Sequence, residues 1–119
     1  MTQQQVTQQQ MKRQLESFNA TLSDESLMET HTRMVVGMRD LAEAIDGFLE
    51  WRDGYDGLTY WGFVVFASHE AAMAWKGNPT HGAIHQQGEA SVYSSFGTQV
   101  FELVREASWQ RDEVPETHG

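Results

Sequence analysis

At 119 residues the chain has room for one domain, and with no cysteine it can form neither a disulfide nor a thiolate-ligated zinc or iron–sulfur site. Seventeen acidic side chains against eight basic ones give a formal charge of −9, and no Lys/Arg stripe exists to bind nucleic acid or an anionic membrane surface. No run approaches the ~18 apolar residues of a membrane span and no basic-then-apolar leader opens the chain, so a cytoplasmic location is expected by default.

Residues 1–10 are mostly Gln and Thr and are expected to form a disordered tail; residues 111–119, charged and carrying Pro115, are expected to fray as well. The domain is then residues 11–110. Residues 14–22 alternate imperfectly through Leu15, Phe18, Ala20 and Leu22, a weak first strand. Ser23 is a candidate N-cap for a helix with Asp24 and Glu25 in its first turn. Leu27, Met34, Met38, Leu41 and Ile45 recur at helical spacing, and Asp46-Gly47 stops the helix because Gly suits a left-handed cap. A short strand begins at residues 48–51, and the Gly- and Asp-rich stretch 53–57 predicts a turn. Residues 58–66, LTYWGFVVF, form the strongest strand, aromatic and β-branched throughout. Ser68 caps a second helix that runs to Lys76. Gly77-Asn78-Pro79 breaks it, Pro79 opens a third helix to about Gln87, and Gly88 ends that helix. Residues 92–104 predict a long last strand, with Val100 and Val104 on one face and Phe101 and Leu103 on the other.

The order β-α-β-β-α-α-β predicts an α+β, ferredoxin-like domain with an antiparallel sheet. Helices cover one sheet face. The other face carries Trp61, Phe63 and Val65, is too apolar to stand in water, and predicts a homodimer.

Residues 38–109 resemble the antibiotic biosynthesis monooxygenase family. The matching pieces stand in order. Gly47-Phe48-Leu49 is similar to the family's Gly-Phe-Leu, and Phe66-Ala67-Ser68-His69-Glu70-Ala71 to its aromatic-x-Ser-x-Glu-Ala motif. Ala74-Trp75-Lys76 and Asn78-Pro79-Thr80-His81 follow, then Gln86-Gln87-Gly88, Tyr93 and residues 100–105. Departures are Glu89, where the family often has Arg, and Val92-Tyr93, where it often has Trp-Tyr. The resemblance implies a ferredoxin-like half-barrel that pairs into a dimeric α+β barrel, with a pocket between sheet and helices in each subunit. It also implies a small-molecule monooxygenase that oxidises a planar aromatic or polyketide-like substrate with dioxygen and no bound cofactor.

Alternation puts Tyr60, Val64 and Phe66 on the helix-covered face of the central strand. Gly62 between them removes bulk and is expected to open room for a flat ligand. His81 and His85, four apart on one helix, share a face with Ile84 and Gly88. They lack the Glu of a His-Glu-x-x-His zinc site, so no metal site is expected. His81 fits a brace for the helix turn first and a substrate contact second. His85 is the best candidate base, since imidazole titrates near neutrality. Tyr60 and Asn19 are candidates to hold substrate oxygens, which makes His85, Asn19 and Tyr60 the expected catalytic set. Val64, Phe66, Trp75 and His81 are the expected substrate contacts. Two alternatives stay open. In heme-degrading members of the family a His at the place of His85 binds iron and an Asn lies on the first strand, as Asn19 does; they carry Trp where Phe66 stands. The third class is a non-catalytic ligand-binding or dimerisation module.

Overall fold

The computed structural model describes residues 12–112; residues 1–11 and 113–119, where most of the two expected tails fall, lie outside the described residues. The sheet is built around the segment with the strongest β pattern. β1 (Gln14–Leu22), β2 (Phe48–Asp56), β3 (Thr59–Phe66) and β4 (Tyr93–Glu102) pair antiparallel throughout, in the order β2-β3-β1-β4. β3 alternates buried and exposed as its sequence does: Tyr60, Gly62, Val64 and Phe66 are buried, and Trp61 lies on the opposite, open face. In register with β3, Glu16, Phe18 and Ala20 of the central strand β1 share the covered face.

That face is covered by α1 (Met28–Glu43), α2 (His69–Lys76) and α3 (Pro79–Ser91). A short 3-10 turn, Glu25–Leu27, leads into α1, and its cap is Asp24, not Ser23: the Asp24 carboxylate accepts from Ser26 N at 2.8 Å. Ser68 caps α2 by accepting from Ala71 N at 3.1 Å. Asn78 Oδ1 accepts from Thr80 N and His81 N at 2.9 and 3.1 Å, with Pro79 following at the position where a missing N–H costs nothing. α1 ends earlier than expected, at Glu43 with Ala44 as its cap, and Gly47, at φ +101°, serves the turn closed by Phe48 N donating to Ile45 O at 3.0 Å. Ala42, Val64, Phe66, Ala71 and Trp75 form the buried core between helices and sheet. Burying a side chain the size of Phe66 contributes about 2–3 kcal/mol.

Three other boundaries differ from expectation. β2 continues to Asp56, because residues 52–56 pair with β3 and leave only Gly57-Leu58 as the turn. Gly57 sits at φ +62°, as the first central residue of a two-residue type II′ hairpin turn does. α3 runs past Gly88 to Ser91; Gly88 lies inside the helix because Tyr93 packs on it, and a Cβ there would stand 2.4 Å from the Tyr93 ring. β4 stops at Glu102, and residues 103–112 extend without regular structure after one further pairing, Leu103 N to Arg13 O at 2.9 Å.

Candidate functional site

Two cavities meet between α3 and the covered sheet face. The inner one, about 50 Å³, has an almost wholly aromatic and aliphatic wall: Phe18, Trp51, Tyr60, Trp75, Tyr93 and Phe96, roofed by Met34, Val35 and Met38 of α1. The outer cleft, about 410 Å³, opens beside Gln14, Phe66, Lys76, Thr98 and Val100. Glu16, His81 and His85 line both and form the seam between them.

His81 is placed by the break between α2 and α3. Its Nδ1–H donates to the Trp75 carbonyl at 2.8 Å and its ring stacks on the Trp75 indole at 3.8 Å, so it braces the corner while lining both cavities. With Nδ1 carrying the proton, Nε2 keeps the lone pair. Burial pushes the His81 pKa below the usual imidazole range; the Trp75 carbonyl opposes this and His85 adds to it. One turn on, the half-buried His85 packs against the edge of Phe96 at 4.2 Å, and its Nδ1 lies 3.3 Å from a Glu89 carboxylate oxygen.

Glu16 is set by β1 register, directly between Val64 of β3 and Val100 of β4. Burial on this apolar floor raises its pKa above the usual carboxylate value, against the opposing pull of the Trp75 indole and the Lys76 ammonium. The Trp75 N–H favours the charged carboxylate but makes no hydrogen bond of ordinary geometry. Among the described residues three buried side-chain polar atoms lack a partner: Gln14 Oε1, Trp51 Nε1 and Trp75 Nε1. All three belong to residues lining the cavities. Unpaired buried donors are rare in structural cores and more common where a ligand acts.

Behind the inner cavity stands a polar group that sequence reasoning misses. His31 of α1 is fully buried, with Nδ1 2.6 Å from the Tyr55 hydroxyl and Nε2 3.0 Å from the Tyr93 hydroxyl. Its ring packs edge-on to Tyr60 at 4.7 Å. A neutral imidazole has one donor and one acceptor, so one tyrosine donates to it and the other accepts. Burial lowers the His31 pKa to about 4, against the opposing charge of Asp53. Burial likewise raises Tyr93 to about 12 and Tyr60 far above its usual range, with Asp53 adding to the rise at Tyr60. Through His31, α1 is fastened to β2 and β4 at once.

Of the expected site residues, the structure brings Tyr60, Trp75, His81 and His85 together around the inner cavity. The Tyr60 hydroxyl is turned away to donate to Asp53 at 2.9 Å, so Tyr60 contributes ring surface, not a free donor. Phe66 borders the outer cleft only. Val64 lies in the core with Ala42, Phe66, Ala71 and Trp75, outside both linings. Asn19 is not across the pocket: its neighbours Phe18 and Ala20 face the helices, so it stands exposed on the open face between Trp61 and Gly97. Gly62 does not open room either, since the Phe18 ring occupies the space above it. Glu16, Phe18, Trp51 and Phe96 are additions; alternation along β1 and β4 was the signal for Glu16, Phe18 and Phe96. Among the described residues no group of three or more His, Asp or Glu side chains is arranged to hold a metal ion.

The fold is shared with solved structures. SnoaB, a cofactor-independent oxygenase from Streptomyces nogalater, superimposes with a TM-score of 0.66 at 11% identity, over 86% of this chain and 99% of that one. A protein of unknown function from Nitrosomonas europaea gives 0.67 at 16% identity, over 86% and 99%. A dabb family protein with a ferredoxin-like fold from Mesorhizobium loti gives 0.59 at 16%, over 76% and 95%. At these identities the likeness is one of fold, and the fold is the α+β, ferredoxin-like one that antibiotic biosynthesis monooxygenases share. No protein-family model and no curated protein matches the sequence.

Proposed function

We propose that the chain is a cofactor-independent monooxygenase that oxidises a planar phenolic or polyketide-like substrate with dioxygen and works as a homodimer. The observation that carries this reading is the seam itself: an aromatic inner cavity and a wider cleft joined at one carboxylate and two imidazoles, on the fold of a known cofactor-independent oxygenase. The outer cleft is within the size range of small-molecule sites, and the inner cavity takes the edge of a ring. Reaction needs the substrate to lose a proton at the seam. The resulting anion gives one electron to dioxygen, and the radical pair joins as a peroxide. The peroxide is protonated and loses water, so that a CH₂ group and O₂ become C=O and H₂O. The protein's part is to hold the ring against the aromatic wall, exclude bulk water and manage the proton. His85 orients the substrate from the helix side. Oxygen uptake with 1,8-dihydroxyanthrone, measured above the spontaneous rate, tests this: saturable uptake is expected, falling at least tenfold in His85→Ala. No uptake above background across a panel of hydroxyanthrones and naphthols would contradict it. Hemin is the control, since a Soret shift abolished by His85→Ala would transfer the reading to heme binding.

The dimer is proposed through the open sheet face, where Trp61, Phe63, Val65, Leu15 and Phe101 lie together with Trp61 47% exposed. A patch of this kind is commonly an interface. Sedimentation should give a dimer at micromolar concentration, and Trp61→Glu should weaken it at least a hundredfold by placing a charge in the contact. A wild-type protein that sediments as a monomer would contradict the assembly.

A further inference from the structure

We propose that Glu16 is the catalytic base of this site: it takes the proton from a weakly acidic phenol, enol or anthrone-type C–H bound at the seam. The inference rests on the oxygenase reading for its substrate class but assigns a role that composition and motif do not suggest. Three observations lead to it. Among the described residues Glu16 is the sole carboxylate bordering both cavities, so a ligand in either meets it. It projects from the central strand, flanked by valines on both sides, and a rigid element of this kind fixes the distance to a bound ring. Its charged form has support ready at hand in the Trp75 indole N–H and the Lys76 ammonium, while burial favours the neutral form, so both protonation states are accessible. Each imidazole at the seam has one nitrogen engaged, His81 Nδ1 with the Trp75 carbonyl and His85 Nδ1 against Glu89, and keeps Nε2 as a competing acceptor, which the His85→Ala variant below tests.

The step balances as a proton transfer alone. The acidic C–H or O–H bond of the ligand breaks, an O–H bond forms on the Glu16 carboxylate, and the complex carries one negative charge before and after. That charge moves from the carboxylate to the delocalised ligand, and no redox partner is needed. The titratable groups that face Glu16 are Lys76 from the end of α2 and His81 and His85 from α3.

The test is anaerobic, so that ionisation is read without turnover. Wild-type protein is mixed with 1,8-dihydroxyanthrone near pH 7; binding is read by tryptophan quenching and ionisation by the visible band of the probe's anion. The expected result is a saturable anion band in wild type and at least a tenfold smaller band in Glu16→Gln, with the quenching constant unchanged within a few-fold. Glu16→Gln is nearly isosteric, and a melting temperature close to wild type confirms that it folds; Glu16→Asp should recover part of the band. A full band in Glu16→Gln overturns the assignment and leaves the oxygenase reading standing. So does loss of the band in His85→Ala together with its retention in Glu16→Gln, which moves the proton to the imidazole. Failure of the wild type to bind the probe overturns both the assignment and the ligand class.

Discussion

Acidifying the protein from pH 7 to pH 4 is expected to cost about 2–3 kcal/mol of stability through His31 alone. Its pKa falls from 6.5 to about 4 on folding. Between those values the unfolded chain binds a proton that the folded chain does not, so stability falls as the pH drops through this window and levels off below it. At about 1.4 kcal/mol per pH unit the full gap approaches 3.4 kcal/mol. The lower figure allows for water reaching the network through Tyr55, which is 37% exposed. The physical cause is burial, which penalises the charged ring against the opposing pull of Asp53, and the two tyrosine hydroxyls fit the neutral form. A neutral ring donates to one hydroxyl and accepts from the other; a charged ring must donate at both nitrogens, and the hydroxyl that donated has to turn. Carboxylates elsewhere titrate in the same range, so the comparison is with His31→Gln. Urea denaturation at pH 7, 5.5 and 4 should show the wild type losing stability faster than the variant by that amount. Parallel curves would mean that His31 takes its proton in the fold without cost.

Gly62→Ala is expected to destabilise the fold by about 3 kcal/mol or more. A Cβ at this position would lie 2.5 Å from the Phe18 ring, 2.7 Å from the Arg52 carbonyl oxygen and 2.9 Å from Asp53 Cβ. The ring could rotate. The carbonyl could move only by opening the β2–β3 ladder, which is why the cost is large. Gly82→Ala is the contrast: it lies inside α3 with nothing within 4 Å of the new methyl, and should gain up to about 1 kcal/mol from helix propensity. Thermal melts of both read the difference directly, and a Gly62→Ala protein as stable as wild type would mean that the hairpin adjusts without strain.

These two residues also mark how far the sequence could be followed. The sheet and helices were legible because β3 alternates cleanly and because Ser68 and Asn78-Pro79 punctuate the helices with side chains that cap them in the structure. The second strand was read short, since Arg52-Asp53-Gly54-Tyr55-Asp56 has turn composition; cross-strand pairing with β3 overrides it. Gly62 and Gly88 each had a local reading, open room and a helix stop. Both are explained by a ring arriving from elsewhere in the chain, Phe18 and Tyr93. Helix spacing put His81 and His85 on one face, and both line the cavities; Trp75 lines the inner one without any spacing argument for it. Asn19 was placed by lying on the first strand, without regard to its face of it; the parity that excludes it also puts Glu16 and Phe18 in the site. His31 sits in the polar run Thr30-His31-Thr32-Arg33, and its partners are 24 and 62 residues away, so nothing local distinguishes it from a solvated helix position.

The central claim is that the seam between the two cavities supports oxygenation by the protein's own residues. Turnover of 1,8-dihydroxyanthrone under ¹⁸O₂, with protein treated with a chelator and dialysed, tests it most directly. The account predicts one ¹⁸O atom in the quinone product and one in water per O₂ consumed, at a rate that chelation does not change. Label absent from the product, or a rate that vanishes with the chelator and returns with a metal ion, would contradict it.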